Sequence, residues 1–233
     1  MIPLRDDAPR FTRPYVTYFL MALNLAIFLF ADTLTPRLHR AFDFQFGFVP
    51  ARVGAWLQGS VHLEAALIPA LTSMFLHYGW LHLIGNMWSL YIFGDNVEDR
   101  LGHFRFILFY VASGLGGILL HYVFNAGSTI PTVGASGAIA GVMGAYFLLF
   151  PSARVLTLIP LFLIFPIIWL PAWIMLAWWF IVQFLSGAAS AITSTQGQTG
   201  GVAVWAHVGG FVSGIGLIKL LPARSRYGMY EPV

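Results

Sequence analysis

The chain has 233 residues, 58% of them apolar and only 9% charged. A soluble domain carries about 25% charged residues, so this composition excludes an ordinary soluble domain and indicates an integral membrane protein. The net charge of +3 comes from scattered arginines and a single lysine, which argues against nucleic-acid binding, and the absence of cysteine excludes disulfides, thiolate metal sites and a cysteine nucleophile.

A helix needs about 20 residues to cross about 30 Å of hydrocarbon. In chain order, the predicted spans are 15–31, 77–94, 105–124, 135–151, 168–188 and 204–221. The first is long enough to be a retained helix rather than a cleaved signal. The outer loop 32–76 holds Phe44, Phe46, Phe48, Trp56 and Leu57 among few charges, so it is expected to lie on or in the outer leaflet. Pro160, Pro166 and Pro171 interrupt the apolar stretch 155–167. It is read as an interfacial lead-in to span five, with a seventh span as the alternative. The loop from Ala188 to Gly201 is rich in Ser, Thr, Gln and Gly and is expected to be mobile.

Six spans put both ends of the chain on one side. Arg5, Arg10, Arg13, Arg100, Arg105, Arg154, Lys219, Arg224 and Arg226 fall on that side, against Arg37, Arg40 and Arg52 on the other. Positive charge marks the cytoplasmic side. The expected form is one all-α polytopic membrane domain over 1–233, with a core of about 15–221 and cytoplasmic tails.

Spans two, four and six enter from the outer side, and each places polar residues near its start: His82 and Asn86, Ser136, and His207. From Val155 to Ile218, 64 residues contain no Asp, Glu, Lys or Arg. Polar groups inside a bilayer are costly and point to function. A serine beside a histidine is the pairing of nucleophile and base. From Ser136 to Phe150 a helix rises only about 21 Å. Ser136 is therefore expected below the outer surface, with the approach 130–135 lining a watery pocket. Ser136, Ala140 and Gly144, with Gly137 and Gly141, form one small-residue face, and His207, Gly210 and Gly214 form another. Such faces let membrane helices approach closely, which would bring Ser136 level with His207. His82 and Asn86 share a helical face and can donate to an oxyanion, as can the unpaired N–H of Ser136.

Each feature has a plainer reading. Glycine runs in membrane helices are mostly packing, and His207 alone could be a cross-helix hydrogen bond. His77, His82 and Asn86 could hold a metal or bridge helices, but that explains neither Ser136 nor the glycines. His121 is expected at the interface, and His39, His62 and His103 in loops. With no carboxylate at the depth of His207, the expected chemistry is a Ser–His dyad, needing neither metal nor cofactor.

Four motifs together resemble the rhomboid family of intramembrane serine proteases: His77-x4-His82-x3-Asn86, Phe93-Gly94-x3-Glu98-x2-Leu101-Gly102, Gly134-Ala135-Ser136-Gly137, and Ala206-His207-x-Gly209-Gly210 with Gly214. The resemblance covers roughly 15–221. It implies a six-helix core of the prokaryotic type in a plasma membrane, with Ser136 as nucleophile and His207 as general base. It implies an oxyanion and substrate-binding region of His82, Asn86, the Ser136 N–H, His77 and Gly134. It also implies structural roles for Glu98, Gly137, Gly141, Gly210 and Gly214. The implied substrates are single-span membrane proteins, cut near the outer face. Two family features are missing. Ala140 replaces an aromatic residue that stacks on the histidine in many members, and Leu67-Ile68-Pro69-Ala70 stands where some carry a Trp-Arg pair. Inactive relatives lose the serine or the histidine, and this chain keeps both. The rival class is a non-catalytic binder of transmembrane helices. A small-solute channel would want a continuous polar path, which the inner halves of spans two, four and six do not provide.

Orientation is testable because the chain lacks cysteine. A membrane-impermeant thiol reagent applied outside should label cysteines introduced at Ser60 and Gly197, but not at Ser152 or Ser225. The opposite pattern would invert the topology.

Overall fold

Gly102 separates two long apolar segments with a positive φ of 79°, a conformation that favours glycine. The helix before it, α5 (Trp80–Leu101), and the helix after it, α6 (His103–Asn125), therefore turn back on one another. The computed structural model describes residues 1–193 and 203–221. The other long helices are α1 (Tyr15–Asp32), α7 (Ser136–Leu149), α8 (Ala172–Thr193) and α9 (Val204–Leu220). The fold is all-α and polytopic, and these six helices overlap the six segments expected as spans.

By length and composition, α1, α6 and α8 can each cross a membrane, and α5 can too if joined to the segment Leu63–Phe75, from which it bends by 78°. The apolar helices α7 and α9 are shorter, with 14 and 17 residues. In α7 every residue from Gly137 to Tyr146 is buried, so it is enclosed by protein.

Three boundaries differ from expectation. Residues 32–76 are helical in α2 (Pro36–Phe46), α3 (Pro50–Leu57) and α4 (Leu63–Thr72), followed by a 3-10 turn at Ser73–Phe75. Span two begins its helix at Trp80 and continues to Leu101, inside the motif that holds Glu98. The stretch 155–167 leads into α8, but as strand rather than as a seventh helical span. It forms an antiparallel hairpin of β2 (Arg154–Leu158) and β3 (Ile167–Pro171). Pro160 and Pro166 deny a helix its donors and clash with its preceding turn. The strand β1 (Ile2–Asp6) completes a three-stranded sheet by pairing antiparallel with β2, Ile2 opposite Leu158 and Asp6 opposite Val155.

The sequence before α1 is held by this sheet and by polar groups at the C-terminal end of α5. Arg10 meets Asp95 at 3.0 Å, the Phe11 N–H donates to Asp99 at 2.9 Å, and Asn96 donates to the Ala8 carbonyl at 3.2 Å. Tyr146 donates to the Asp6 carboxylate. Burial outweighs that bond and holds the Asp6 carboxyl above its ordinary range.

Glu98 is fully buried yet satisfied. It accepts from the Val16 N–H at 2.9 Å, the Thr17 N–H at 2.7 Å and the Thr17 hydroxyl at 2.7 Å. It also lies 2.6 Å from His103 Nδ1. A carboxylate at a helix N-terminus complements the helix dipole and its unpaired donors. Glu98 thus ties the start of α1 to the α5–α6 corner, and His103, expected in a loop without a role, is its fourth partner.

The centre is a glycine-mediated contact of α6, α7 and α9. A Cβ on Gly210 would lie 1.9 Å from the Gly137 carbonyl oxygen, and one on Gly214 would lie 2.0 Å from the Gly141 oxygen. On Gly141 it would lie 2.2 Å from Ser113, and on Gly117 2.6 Å from the Ala206 oxygen. The matched positions 137 with 210 and 141 with 214 make α7 and α9 parallel. Gly114 against Ala138 and Ser113 against Gly141 make α6 antiparallel to α7.

This contact yields a paired test. Alanine suits a helix interior better than glycine by about 1 kcal/mol, and a methyl group added at Gly216 would meet nothing within 4 Å. Gly216→Ala should leave thermal unfolding in detergent unchanged or slightly raised. Gly210→Ala should lower stability by about 1–3 kcal/mol or more, the range of core overpacking. Equal behaviour of the two variants would contradict the backbone contact.

Candidate active site

Ser136 and His207 occupy equivalent places on parallel helices. Ser136 is the first residue of α7 and His207 lies in the first turn of α9. With α7 and α9 in backbone contact, Ser136 Oγ lies 2.7 Å from His207 Nε2. The histidine is buried and the serine half-buried. The Ser136 N–H, at the helix start, has no intrahelical acceptor.

The approach to Ser136 is held from four sides. Residue 132 pairs with Phe48 of the outer loop, through bonds of 2.9 and 2.7 Å. The Thr132 hydroxyl lies 2.9 Å from His121 Nε2. Tyr78 donates to the Pro131 carbonyl. The Gly134 N–H donates to the Ser73 carbonyl at 2.8 Å. His121 is buried, and its ring meets Thr132 in this segment. The outer loop is thereby part of the site's frame, through Phe48 and Ser73.

Gly134 passes between Ser136 and His82. Its φ is +131°, and a Cβ there would lie 2.8 Å from the His82 ring and 3.6 Å from Ser136 Oγ. Both the conformation and the space call for glycine. His82 is half-buried one helical turn before Asn86, which is buried with its Nδ2 lacking a hydrogen-bond partner among the described residues. A buried donor left unpaired is costly and marks where an acceptor would be welcomed. His77 is buried, its ring edge-on to His82 at 5.0 Å between centroids. Among the described residues no three His, Asp or Glu side chains are grouped to hold a metal ion. The watery pocket expected beside 130–135 is small. The described residues enclose about 20 Å³ there, lined in part by Ser73, Thr132, Gly134 and Ser136, room for about one water.

Of the other expected site residues, Gly137, Gly141, Gly210 and Gly214 form the α7–α9 contact, and Glu98 lies at the α5–α6 corner, away from Ser136. Ala140 is fully buried and makes no stack on His207. Instead α8 supplies two contacts that sequence reasoning misses. Gln183 Oε1 lies 2.8 Å from His207 Nδ1, and the Trp179 ring lies 5.9 Å from the imidazole, tilted by 36°. Their spacing of four along α8 is a usable signal, since Gln183 is the one polar amide in the otherwise apolar run 172–185.

Comparison with known proteins gives a consistent family. A family model described as Rhomboid domain matches residues 64–224. RHOMBOID-like protein 1 of Arabidopsis thaliana is 33% identical over 160 residues, 69% of this chain and 36% of that protein. Rhomboid protease GluP of Bacillus subtilis (strain 168) is 44% identical over 75 residues, 32% of this chain and 14% of that protein. Presenilin-associated rhomboid-like protein A, mitochondrial, of Danio rerio is 33% identical over 89 residues, 37% of this chain and 23% of that protein. The matched stretches thus span little more than a third of these relatives at most.

Proposed function

The chain belongs to the rhomboid family, and from that premise we propose that it is an intramembrane serine endopeptidase. Ser136 is the nucleophile and His207 the general base. The observation that carries this reading is the 2.7 Å approach of Ser136 Oγ to His207 Nε2 at the heads of two membrane helices. The named protease among its relatives supports the same class.

In the proposed reaction, Ser136 Oγ adds to the scissile carbonyl carbon as its proton passes to His207 Nε2. The carbonyl π electrons move to oxygen. The Ser136 N–H, Asn86 and His82 hydrogen-bond the resulting oxyanion, with Gly134 keeping the space between His82 and Ser136 open. Collapse breaks the C–N bond, and His207 returns the proton to the leaving amine. A water deprotonated by His207 then releases the acyl group. These steps use no cofactor or metal.

The proposed substrates are single-span membrane proteins, cut near the outer face of a prokaryotic plasma membrane by an enzyme with six spans and both ends in the cytoplasm. A substrate helix satisfies its own amides and must unwind before attack, so helix-breaking residues near the cut should favour cleavage. The loop expected to be mobile from Ala188 to Gly201 is helical in α8 as far as Thr193; the rest, proposed to admit substrate, lies outside the described residues, as do Gly197 and Ser225 of the labelling test. The rival reading is a non-catalytic binder of membrane helices that uses the same groove. A fluorophosphonate probe separates the two.

Ser136→Ala and His207→Ala should each abolish cleavage of a transmembrane reporter and labelling by the probe, while the protein still folds. Near wild-type cleavage by either variant would exclude the assignment.

His82→Ala and Asn86→Ala should act mainly on kcat. Loss of one oxyanion donor costs about 10²–10³ in a soluble serine protease. An effect confined to KM would reassign the residue to substrate placement.

The outer part of α8 is exposed, with Phe184 at 46% and Leu185 at 60%, and is proposed as the lateral door beside α5. Joining cysteines at Leu81 and Leu185 with a bifunctional maleimide should block transmembrane substrates but spare labelling by the small probe. Unchanged transmembrane cleavage would rule out entry between these helices.

A further inference from the structure

The histidine that serves as base sits on α9 and its serine on α7, but the groups that fix its ring come from α8. Gln183 Oε1 faces His207 Nδ1 at 2.8 Å, and Trp179, one turn earlier, lies against the ring. The far ring nitrogen faces Ser136 Oγ at 2.7 Å. A neutral imidazole has one donor and one acceptor nitrogen, and the partner of one decides the other. An amide oxygen can only accept, so Nδ1 carries the proton and Nε2 presents its lone pair to the Ser136 hydroxyl. That is the tautomer a base requires.

We propose that Gln183 is a positioning residue for the catalytic base, standing where soluble serine proteases place a carboxylate; this rests on the function proposed above. As Ser136 adds to the carbonyl, its proton moves to Nε2 while the Nδ1 proton stays in its bond to Gln183 Oε1. No proton passes to Gln183. Gln183 is half-buried, so either an amide or a carboxylate can meet the ring there. The amide lacks the charge that would stabilise the imidazolium, so the gain from Gln183 is smaller than from an aspartate. Because the bond crosses from α8 to α9, its integrity requires α8 to be seated when the chemistry occurs. A substrate admitted by displacing α8 is therefore cut only after α8 returns.

The test is a graded series at position 183 in the full chain, reconstituted in lipid. Gln183→Met keeps the length and removes the acceptor. Gln183→Glu keeps an acceptor. Gln183→Met should lower kcat at least about ten-fold, by less than the ~10⁴ seen when a triad carboxylate is replaced and the wrong tautomer results, with KM within about two-fold. It should slow fluorophosphonate labelling of Ser136 to a similar degree. Gln183→Glu should stay within about three-fold of wild type or exceed it in both assays. The proposal is overturned if Gln183→Met keeps wild-type kcat, if its defect lies in KM alone, or if Gln183→Glu is as impaired as Gln183→Met. Should the methionine variant fail to fold, Gln183→Asn, whose shorter side chain draws the amide back, must show the kcat loss instead. Ser136→Ala in the same assays keeps the two readings apart. Residual cleavage there refutes the serine protease, whereas complete loss there with an indifferent position 183 refutes only the role of Gln183.

Discussion

The site depends on two helices touching through their main chains. Between α7 and α9 there is no layer of side chains, because Gly137, Gly141, Gly210 and Gly214 remove it. The relative depth of the two helix heads is thus set by peptide against peptide, a contact that cannot relax by changing rotamers. A hydroxyl and an imidazole can be held 2.7 Å apart only if their carriers are fixed to within a fraction of an ångström. In lipid, apolar packing between helices gains little over packing against lipid tails, and close approach is the means of association left.

Around this pair the protein arranges rigid supports at different distances. The strand leading to Ser136 is tied to the outer loop, to α6 through His121 and to the segment before α5 through Ser73 and Tyr78. Farther away, Glu98 joins α1 to the α5–α6 corner with four hydrogen-bonding partners. On the α8 side the support is thinner. The N-terminal end of α8 is anchored by buried Ala172, Met175 and Leu176, whereas farther along Phe184 and Leu185 are exposed. The least buried of the three helices long and apolar enough to cross a membrane therefore meets the His207 ring.

Much of this is legible in the sequence. The glycine spacing in spans four and six carries the helix contact, and the shared sidedness of His82, Asn86, Ser136 and His207 carries their convergence. Local pattern fails where a residue's partner lies on a remote segment. An apolar run broken by prolines does not reveal that it pairs with residues 2–6, so the lead-in at 154–171 is not legible as a hairpin. His121 and His103 look idle because Thr132 and Glu98 meet them only after folding. Gln183 is easily passed over because a single amide in an apolar span can find many partners in membrane helices.

The pairing of β1 with β2 also constrains the order of assembly. Residues 2–6 precede the first span, whereas their partners at 154–158 follow the fourth. Domains form from the N-terminal side during synthesis, but this strand cannot. It is made before its partner and stays without that partner until the chain has closed a loop of about 150 residues, a closure whose entropy cost grows only slowly with length. Through the Tyr146 bond to Asp6 and the strand ladder running directly into α8, a segment made before α1 becomes a fastening on the α7 and α8 ends. Assembly of the sheet thus reports that the serine-bearing helix is already in place.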